Sequence, residues 1–283
     1  MRTNVLALLL CASCAPVEAA PSPASDAAAA PIPIADAGLA PLTGVPWQID
    51  VEDSGKKLGA ISIPLGAREP RPIVVALHGA ADKPGWACGE WRAIVDAYPF
   101  VVCPRGDGPE EHLYWSSPAK TKEAIDRLLD ATRARFGAWI AADAPLVLVG
   151  FSMGSGQAML LAEKDPKRFP RVVAAENAYD PDATQTFAAT YKGERAGLLC
   201  TTFACGPVYR AAGARLARRG IPARVNISGT NAHGMWESTN RSMRRDWPWV
   251  VDGLAGWEEY GAQRLPADAS PPGTTLVFEP SSG

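Results

Sequence analysis

Short, nearly continuous apolar runs recur through the chain and alternate with polar–apolar stretches. Strands that are apolar on both faces are typical of a parallel sheet with helices on each side. An alternating segment, 47–52, turns through Asp53-Ser54-Gly55 into 58–63 and predicts an antiparallel β-hairpin ahead of them. The runs predicted as strands are 73–77, 100–103, 146–149, 172–175, 198–203 and 223–227.

A repeat of about 3.6 residues marks the predicted helices between the strands. The clearest has Ser117 as its N-cap and Pro118 at the first helical position, and Gly137 can end it. Further helices are predicted at 90–97, 153–164, 209–219 and 238–251. The pattern predicts an α/β fold, with a doubly wound, mostly parallel sheet and an N-terminal antiparallel hairpin. We expect this domain to span 45–265 and to be followed by a loose tail, 266–283.

The first 19 residues have the layout of a secretory signal, because Arg2 precedes a short apolar run. Cleavage after Ala19 would give a freely secreted protein. Ala12-Ser13-Cys14 instead resembles a bacterial lipobox, with Cys11 where Leu is usual, and lipidation of Cys14 is the prediction we favour. The Ala- and Pro-rich segment 20–44 has few large apolar side chains and is predicted to be a tether. The protein is therefore expected in the cell envelope, or secreted, and attached to membrane only through the lipid.

The charges are nearly balanced, with 28 basic and 30 acidic residues and a formal net charge of -2. Nucleic-acid binders concentrate Lys and Arg on one face, so no nucleic-acid partner is predicted. Only three histidines are present, far apart, and no Cys-x-x-Cys occurs among the cysteines that follow the tether, so no metal is predicted either. We expect a monomer.

Four cysteines follow the tether: Cys88, Cys103, Cys200 and Cys205. An even number in an exported protein suggests two disulfides, and four cysteines allow three pairings. Local pairing, Cys88 with Cys103 and Cys200 with Cys205, is the prediction. The alternative is four buried thiols, since free cysteine is itself a common core residue.

The segment 150–154 fits the nucleophile-elbow pattern Gly-x-Ser-x-Gly, with Ser152 as the candidate nucleophile. An apolar strand precedes it and a helical pattern follows it, which is the context that the motif requires. Glycines are needed at Gly150 and Gly154 because a side chain there would collide with the neighbouring backbone. Ser155 is a rival serine, but no strand leads into it.

A histidine just beyond the last predicted strand can reach a serine on a neighbouring strand. His233, in the loop after 223–227, is therefore the candidate base. The N–H groups of Ala80 and Met153 are predicted to form an oxyanion hole. His78 has a structural interpretation, in which it braces the loop before Ala80.

The His78-Gly79 pair, the elbow and the late Asn-Ala-His-Gly loop together resemble the α/β-hydrolase superfamily over roughly 47–260. The pattern of elements and motifs is most similar to that of compact esterases of the dienelactone-hydrolase and polyester-depolymerase kind. The resemblance implies a carboxylic-ester hydrolase that works through an acyl-enzyme, needs no cofactor and acts on a small-molecule or polymer ester. Only about twenty residues separate the sixth and seventh strands, so no large lid is expected.

The acid of the triad is not where this superfamily usually has it. No Asp or Glu occurs between Arg195 and Trp236, and Gly206 stands near the usual position. Some lipases of the superfamily place the acid after the sixth strand, which here ends in Glu176. Glu176 is the candidate, Asp180 the reserve, and a structural ion pair is the alternative interpretation of Glu176.

Two other functions stay open at this point. A peptidase or thioesterase could use the same groups, and the missing acid at the usual position leaves room for a decayed, hydrolase-like binding lipoprotein.

Overall fold

The computed structural model describes residues 38–177, 179–266, 268 and 270–281. The predicted signal, the lipobox with Cys14 and most of the tether lie outside these residues. The strands are β1 (Gln48–Asp53), β2 (Lys56–Ser62), β3 (Ile73–Leu77), β4 (Phe100–Pro104), β5 (Val147–Phe151), β6 (Arg171–Ala175), β7 (Arg195–Cys200), β8 (Ala223–Ile227) and β9 (Thr274–Phe278). The helices are α1 (Pro84–Ile94), α2 (Pro118–Phe136), α3 (Met153–Lys164), α4 (Pro181–Thr190), α5 (Cys205–Arg218), α6 (Glu237–Val251) and α7 (Tyr260–Gln263).

All nine strands form one sheet in the order β1-β2-β4-β3-β5-β6-β7-β8-β9. The six strands from β4 to β8 in this order are parallel, while β1, β2 and β9 pair antiparallel with their neighbours. The predicted hairpin and the mostly parallel sheet are confirmed. The carboxyl ends of the parallel strands share one edge, which is where open α/β sheets place their functional groups.

Helices cover both faces of the sheet and bury two apolar layers. One layer holds side chains from α2, α3, α4 and α5, including Leu128, Phe187 and Tyr209. The other holds side chains from α1 and α6, including Trp91 and Trp247. Because both faces are buried, the central strands β3, β4 and β5 contain no polar side chain, as the sequence pattern predicted.

Two predicted boundaries were wrong. The segment predicted as a loose tail contains β9, which pairs with β8 and packs Leu276 and Phe278 against the core. The end of the predicted tether also belongs to the domain, since Leu42 is 4% exposed and its N–H donates to the Ala67 carbonyl. Both segments are short and flanked by Pro and Gly, so only their long-range partners hold them in place.

Three further elements differ from the prediction. Helix α1 begins at Pro84 and ends at Ile94, not at 97, because Asp96 and Ala97 both have φ of 55°. Strand β7 ends at Cys200, three residues earlier than predicted. Helix α4 was not predicted.

Both predicted disulfides are confirmed. Cys88 and Cys103 join α1 to β4, and Cys200 and Cys205 join the end of β7 to the first residue of α5. Within the described part of the chain, no helix is long and apolar enough to cross a bilayer.

Candidate active site

Ser152 stands alone between the last residue of β5 and the first residue of α3, with φ of 52° and ψ of -123°. A non-glycine residue with positive φ is strained and is held there only by its surroundings. A Cβ on Gly150 would lie 2.3 Å from the Gly154 carbonyl oxygen, and one on Gly154 would lie 2.4 Å from that of Leu77. The two glycines therefore permit the tight turn that presents the Ser152 hydroxyl.

Ser155, the rival serine, does not compete for this place. It is fully buried and its hydroxyl donates to the Ser152 carbonyl at 2.7 Å. This hydrogen bond from Ser155 stabilises the turn at Ser152.

His233 lies in the loop after β8, and its Nε2 is 3.0 Å from the Ser152 Oγ. The imidazole packs against the Phe151 ring, with 5.0 Å between ring centroids. The His233 side chain is 50% exposed. The structure thus brings the two residues predicted from the motif and from chain order into hydrogen-bond contact, at a site open to solvent.

Glu176 follows β6 directly, and its Oε2 lies 3.6 Å from the His233 Nδ1. This is slightly longer than a hydrogen bond, as is common at sites without substrate. Glu176 has φ of 59°, so it is the second strained residue at this edge of the sheet. It is 3% exposed, unlike the imidazole that it faces.

The Glu176 carboxylate is held by the loop after β7. Its Oε1 accepts from the N–H of Thr201 and, at 2.6 Å, from that of Thr202, while the Thr202 hydroxyl donates to Oε2 at 3.1 Å. Burial by itself would raise the pKa of Glu176, but the His233 ring and these N–H groups outweigh it and bring the pKa below its usual value. Glu176 is therefore ionised at neutral pH.

Asp180, the reserve candidate for the acid, has a structural role at the start of α4. It is exposed and caps α4, where its Oδ1 accepts from the Ala183 N–H at 2.9 Å. A carboxylate at this position stabilises the helix start.

The two amides predicted as an oxyanion hole flank the elbow. Met153 opens α3, where helix geometry leaves the first N–H groups without an intrahelical acceptor, and Ala80 lies in the exposed turn after Gly79. Among the described residues, neither N–H has a backbone acceptor. Both are thus available to a bound oxygen atom.

His78 braces this turn, as one interpretation of the sequence predicted. It is fully buried, its Nδ1 donates to the Gly79 carbonyl at 2.7 Å, and its Nε2 accepts from the Gly106 N–H at 3.1 Å. Burial lowers the pKa of His78, which favours the neutral ring that this pair of hydrogen bonds needs.

A cleft of about 460 Å³ opens beside His233. Its walls are mainly aromatic and apolar, and Asp82 and Glu90 add two carboxylates. A larger depression of about 570 Å³ is lined instead by charged side chains such as Lys57, Glu123 and Arg127. The residues lining the smaller cleft are Asp82, Trp86, Ala87, Glu90, Trp91, Phe151, His233, Gly234, Met235 and Trp236.

Sequence reasoning missed Thr201 and Thr202. Their contribution to the site is chiefly through backbone N–H groups, which every residue except proline has. The side chain of Thr202 gave no separate signal, because one threonine in a loop has many possible functions.

The strand order, with six parallel strands between antiparallel ones, confirms the predicted α/β-hydrolase fold. No protein-family model matches the sequence, and no curated protein matches it. Among solved structures, esterase PE8 is similar, with a TM-score of 0.48, 17% identity and coverage of 65% of this chain and 94% of that one.

Two further structures are similar at the same level. The protein Atu2452 of unknown function, from Agrobacterium tumefaciens, has a TM-score of 0.44 and 14% identity, over 64% of this chain and 92% of that one. YahD, solved with malic acid, has a TM-score of 0.47 and 10% identity, over 67% of this chain and 97% of that one.

Proposed function

We propose that the protein is a serine hydrolase that cleaves carboxylic esters through an acyl-enzyme. One observation carries the proposal. The Ser152 hydroxyl, on a strained elbow, lies 3.0 Å from the His233 Nε2, and the other ring nitrogen faces the buried carboxylate of Glu176. A serine is activated when a base contacts its hydroxyl and an acid orients that base, and these three groups have this spatial order.

In the first half-reaction, the Ser152 oxygen attacks the ester carbonyl carbon while His233 Nε2 takes the hydroxyl proton. The carbonyl oxygen becomes an oxyanion, to which the N–H groups of Met153 and Ala80 donate. His233 then gives its proton to the departing alkoxide oxygen as the carbon–oxygen bond breaks. The acyl group is left on Ser152 and the alcohol is released.

Water completes the reaction by attacking the acyl carbon, with His233 taking its proton. Collapse of the second oxyanion breaks the bond to the Ser152 oxygen, which recovers the proton from His233. Glu176 holds the Nδ1–H tautomer throughout and stabilises the imidazolium that forms in each half. The products are a carboxylic acid and the free enzyme.

The cleft beside His233 suggests which esters fit. Trp86 and Trp236 are 61% and 58% exposed at its rim, and Phe151 and Met235 add apolar surface. Exposed large apolar groups around a cleft are typical of sites that bind apolar ligands. We propose esters with an apolar or ring-bearing group, either small or at the end of a polymer.

Export is part of the proposal. Structural disulfides are typical of oxidising compartments and rare in the cytosol, so the two bridges agree with the predicted signal sequence.

The test is covalent labelling. Wild-type protein should react with a fluorophosphonate probe and hydrolyse p-nitrophenyl butyrate, and Ser152→Ala should abolish both. Ser155→Ala loses the hydrogen bond to the Ser152 carbonyl but keeps the nucleophile, so it should still be labelled and still hydrolyse the ester, both at a reduced rate. If folded wild-type protein were not labelled, a binding function would replace the enzyme. Labelling with hydrolysis of a peptide or a thioester but of no oxygen ester would keep the serine and change the substrate class.

A further inference from the structure

The loop of residues 201–203 contacts both partners of Ser152. On one side it holds Glu176, through the N–H groups of Thr201 and Thr202 and the Thr202 hydroxyl. In the described residues, no other part of the chain donates a hydrogen bond to this carboxylate, and the His233 Nδ1 faces it at 3.6 Å. The loop therefore sets where the carboxylate lies.

On its other side the same loop holds the segment that carries His233. The Thr201 carbonyl accepts from the Ala232 N–H and from the Thr230 hydroxyl, both at 3.1 Å. The Phe203 N–H donates to the Asn231 Oδ1, also at 3.1 Å. Three consecutive residues immediately before His233 are thus tied to the loop that binds Glu176.

Apolar burial does not fix this loop. Phe203 is 66% exposed and Thr202 is partly exposed, so only Thr201, which is buried, packs against the domain. The disulfide between Cys200 and Cys205 closes it instead, and both cysteines are fully buried. Cys200 ends β7 and Cys205 begins α5, so the bridge anchors both ends of the loop to the core.

We propose that the loop closed by Cys200–Cys205 is a clamp that sets the position of Glu176 relative to His233. Cys200, Cys205 and Thr202 are positioning residues, since none of them touches the reacting atoms. The inference rests on the proposed function for its kinetic consequence, but the geometry of the Glu176–His233 pair can be measured without substrate. The clamp is specific to this bridge, because Cys88–Cys103 contacts neither residue of the pair.

The first test compares the two bridges at a temperature where all variants are folded. The double variant Cys200→Ala/Cys205→Ala should lose about 10–100-fold in kcat with little change in KM, because small misplacements of a catalytic group are costly. Cys88→Ala/Cys103→Ala is the matched control, and it should lower Tm without a comparable loss in kcat. Rates are taken per site labelled by the fluorophosphonate probe, so that inactive protein does not contribute.

The second test leaves the disulfide intact and removes one hydrogen bond. Thr202→Val keeps the side-chain shape and the backbone N–H but loses the hydroxyl that binds the Glu176 Oε2. Its kcat should fall about tenfold, the effect of one lost hydrogen bond to a charged group. Thr202→Ser keeps the hydroxyl and should restore most of the rate, which a purely structural defect would not explain.

The third test needs no activity. The protein has only three histidines, so the His233 ring resonances can be assigned with His233→Ala and recorded by NMR at one fixed pH. In Cys200→Ala/Cys205→Ala these resonances should move away from their wild-type positions, towards those of Glu176→Gln, because the carboxylate would no longer face the His233 Nδ1. The Cys88→Ala/Cys103→Ala control should keep the wild-type resonances.

The outcomes separate the two proposals. A folded Cys200→Ala/Cys205→Ala variant with wild-type kcat and wild-type His233 resonances would overturn the clamp. Shifted His233 resonances in a protein that hydrolyses no ester would support the clamp and overturn the esterase. His233 resonances that stay fixed while kcat falls equally in both double variants would assign the loss to general destabilisation and reject the clamp.

Discussion

Two residues that directly follow central parallel strands have positive φ, and both belong to the candidate site. Ser152 and Glu176 follow the neighbouring parallel strands β5 and β6 and have φ of 52° and 59°. Such conformations cost on the order of 1–3 kcal/mol each in residues with a side chain. At both positions the chain turns sharply off its strand, which places the two side chains on either side of His233.

Charge neutralisation at Glu176 should reduce catalysis far more than truncation at Asp180. Glu176→Gln keeps the size of the side chain but removes the charge that stabilises the imidazolium, so kcat should fall by up to about 10⁴-fold. Asp180→Ala removes the cap of α4 and should cost about 1 kcal/mol of unfolding free energy with near-normal kcat. Ester hydrolysis and urea unfolding of both variants check this pair. Near-normal kcat in Glu176→Gln would show that His233 is oriented by another group.

The residues of the site differed in how far the sequence could predict them. Ser152 and His233 follow from a motif and from chain order, because the chemistry restricts both residue types and their positions. Glu176 was predicted only by exclusion, since any carboxylate that the fold brings close to His233 could act as the acid. The amides that bind Glu176 could not be predicted, because every residue except proline has a backbone N–H and the sequence does not show which of them donate to a carboxylate.

At the scale of elements, the parallel core was predicted well and the peripheral elements were not. The central strands are buried on both faces and read as apolar runs, which few other structures produce. Helix α4 has only ten residues and a modest apolar face, although Asp180-Pro181 at its start is the same kind of signal that located α2. Strand β9 is half-exposed and depends on pairing with β8, so its local sequence was compatible with a tail.

The contact between α3 and β3 at the elbow should tolerate no added methyl group. In Gly154→Ala, the new Cβ would lie 2.4 and 2.5 Å from the carbonyl oxygens of Leu77 and His78. Both are backbone atoms, so the strand or the helix must shift, at a cost of about 1–3 kcal/mol. We expect a lower Tm and much slower probe labelling, since the same shift moves the Ala80 turn.

Gly137→Ala is the matched control for this substitution. Gly137 ends α2 with right-handed helical φ and ψ, and a Cβ there meets nothing within 4 Å. The substitution should raise the unfolding free energy by about 0.4–1 kcal/mol and leave labelling unchanged. Equal labelling rates in the two variants would show that the elbow contact is not tight.

On the scale of the whole molecule, β9 completes the sheet beside the strand that leads to His233. It pairs with β8 over its full length, and Phe278 packs beside Gly213 of α5. A long uncovered strand edge invites pairing with other chains. The C-terminal segment thus covers β8 and fixes the strand from which the His233 loop departs.

Removal of residues 272–283 should therefore destabilise the domain and promote association. The partly buried Leu276 and Phe278 would be lost, worth roughly 2–4 kcal/mol together at the usual value for large apolar side chains, and β8 would become the edge. Scanning fluorimetry should show a lower Tm, and light scattering should show aggregates. Removal of residues 280–283 alone leaves β9 in place and should change neither measurement.

The half-exposed His233 side chain has a kinetic consequence for esters that separate from water. In the described residues between β6 and β7 the chain forms only α4 and short loops, so nothing large has to move before substrate reaches Ser152. The proposed esterase should therefore need no oil–water interface for activity. The rate should follow the dissolved ester along one hyperbola and level off at the solubility limit, with no jump when droplets first form.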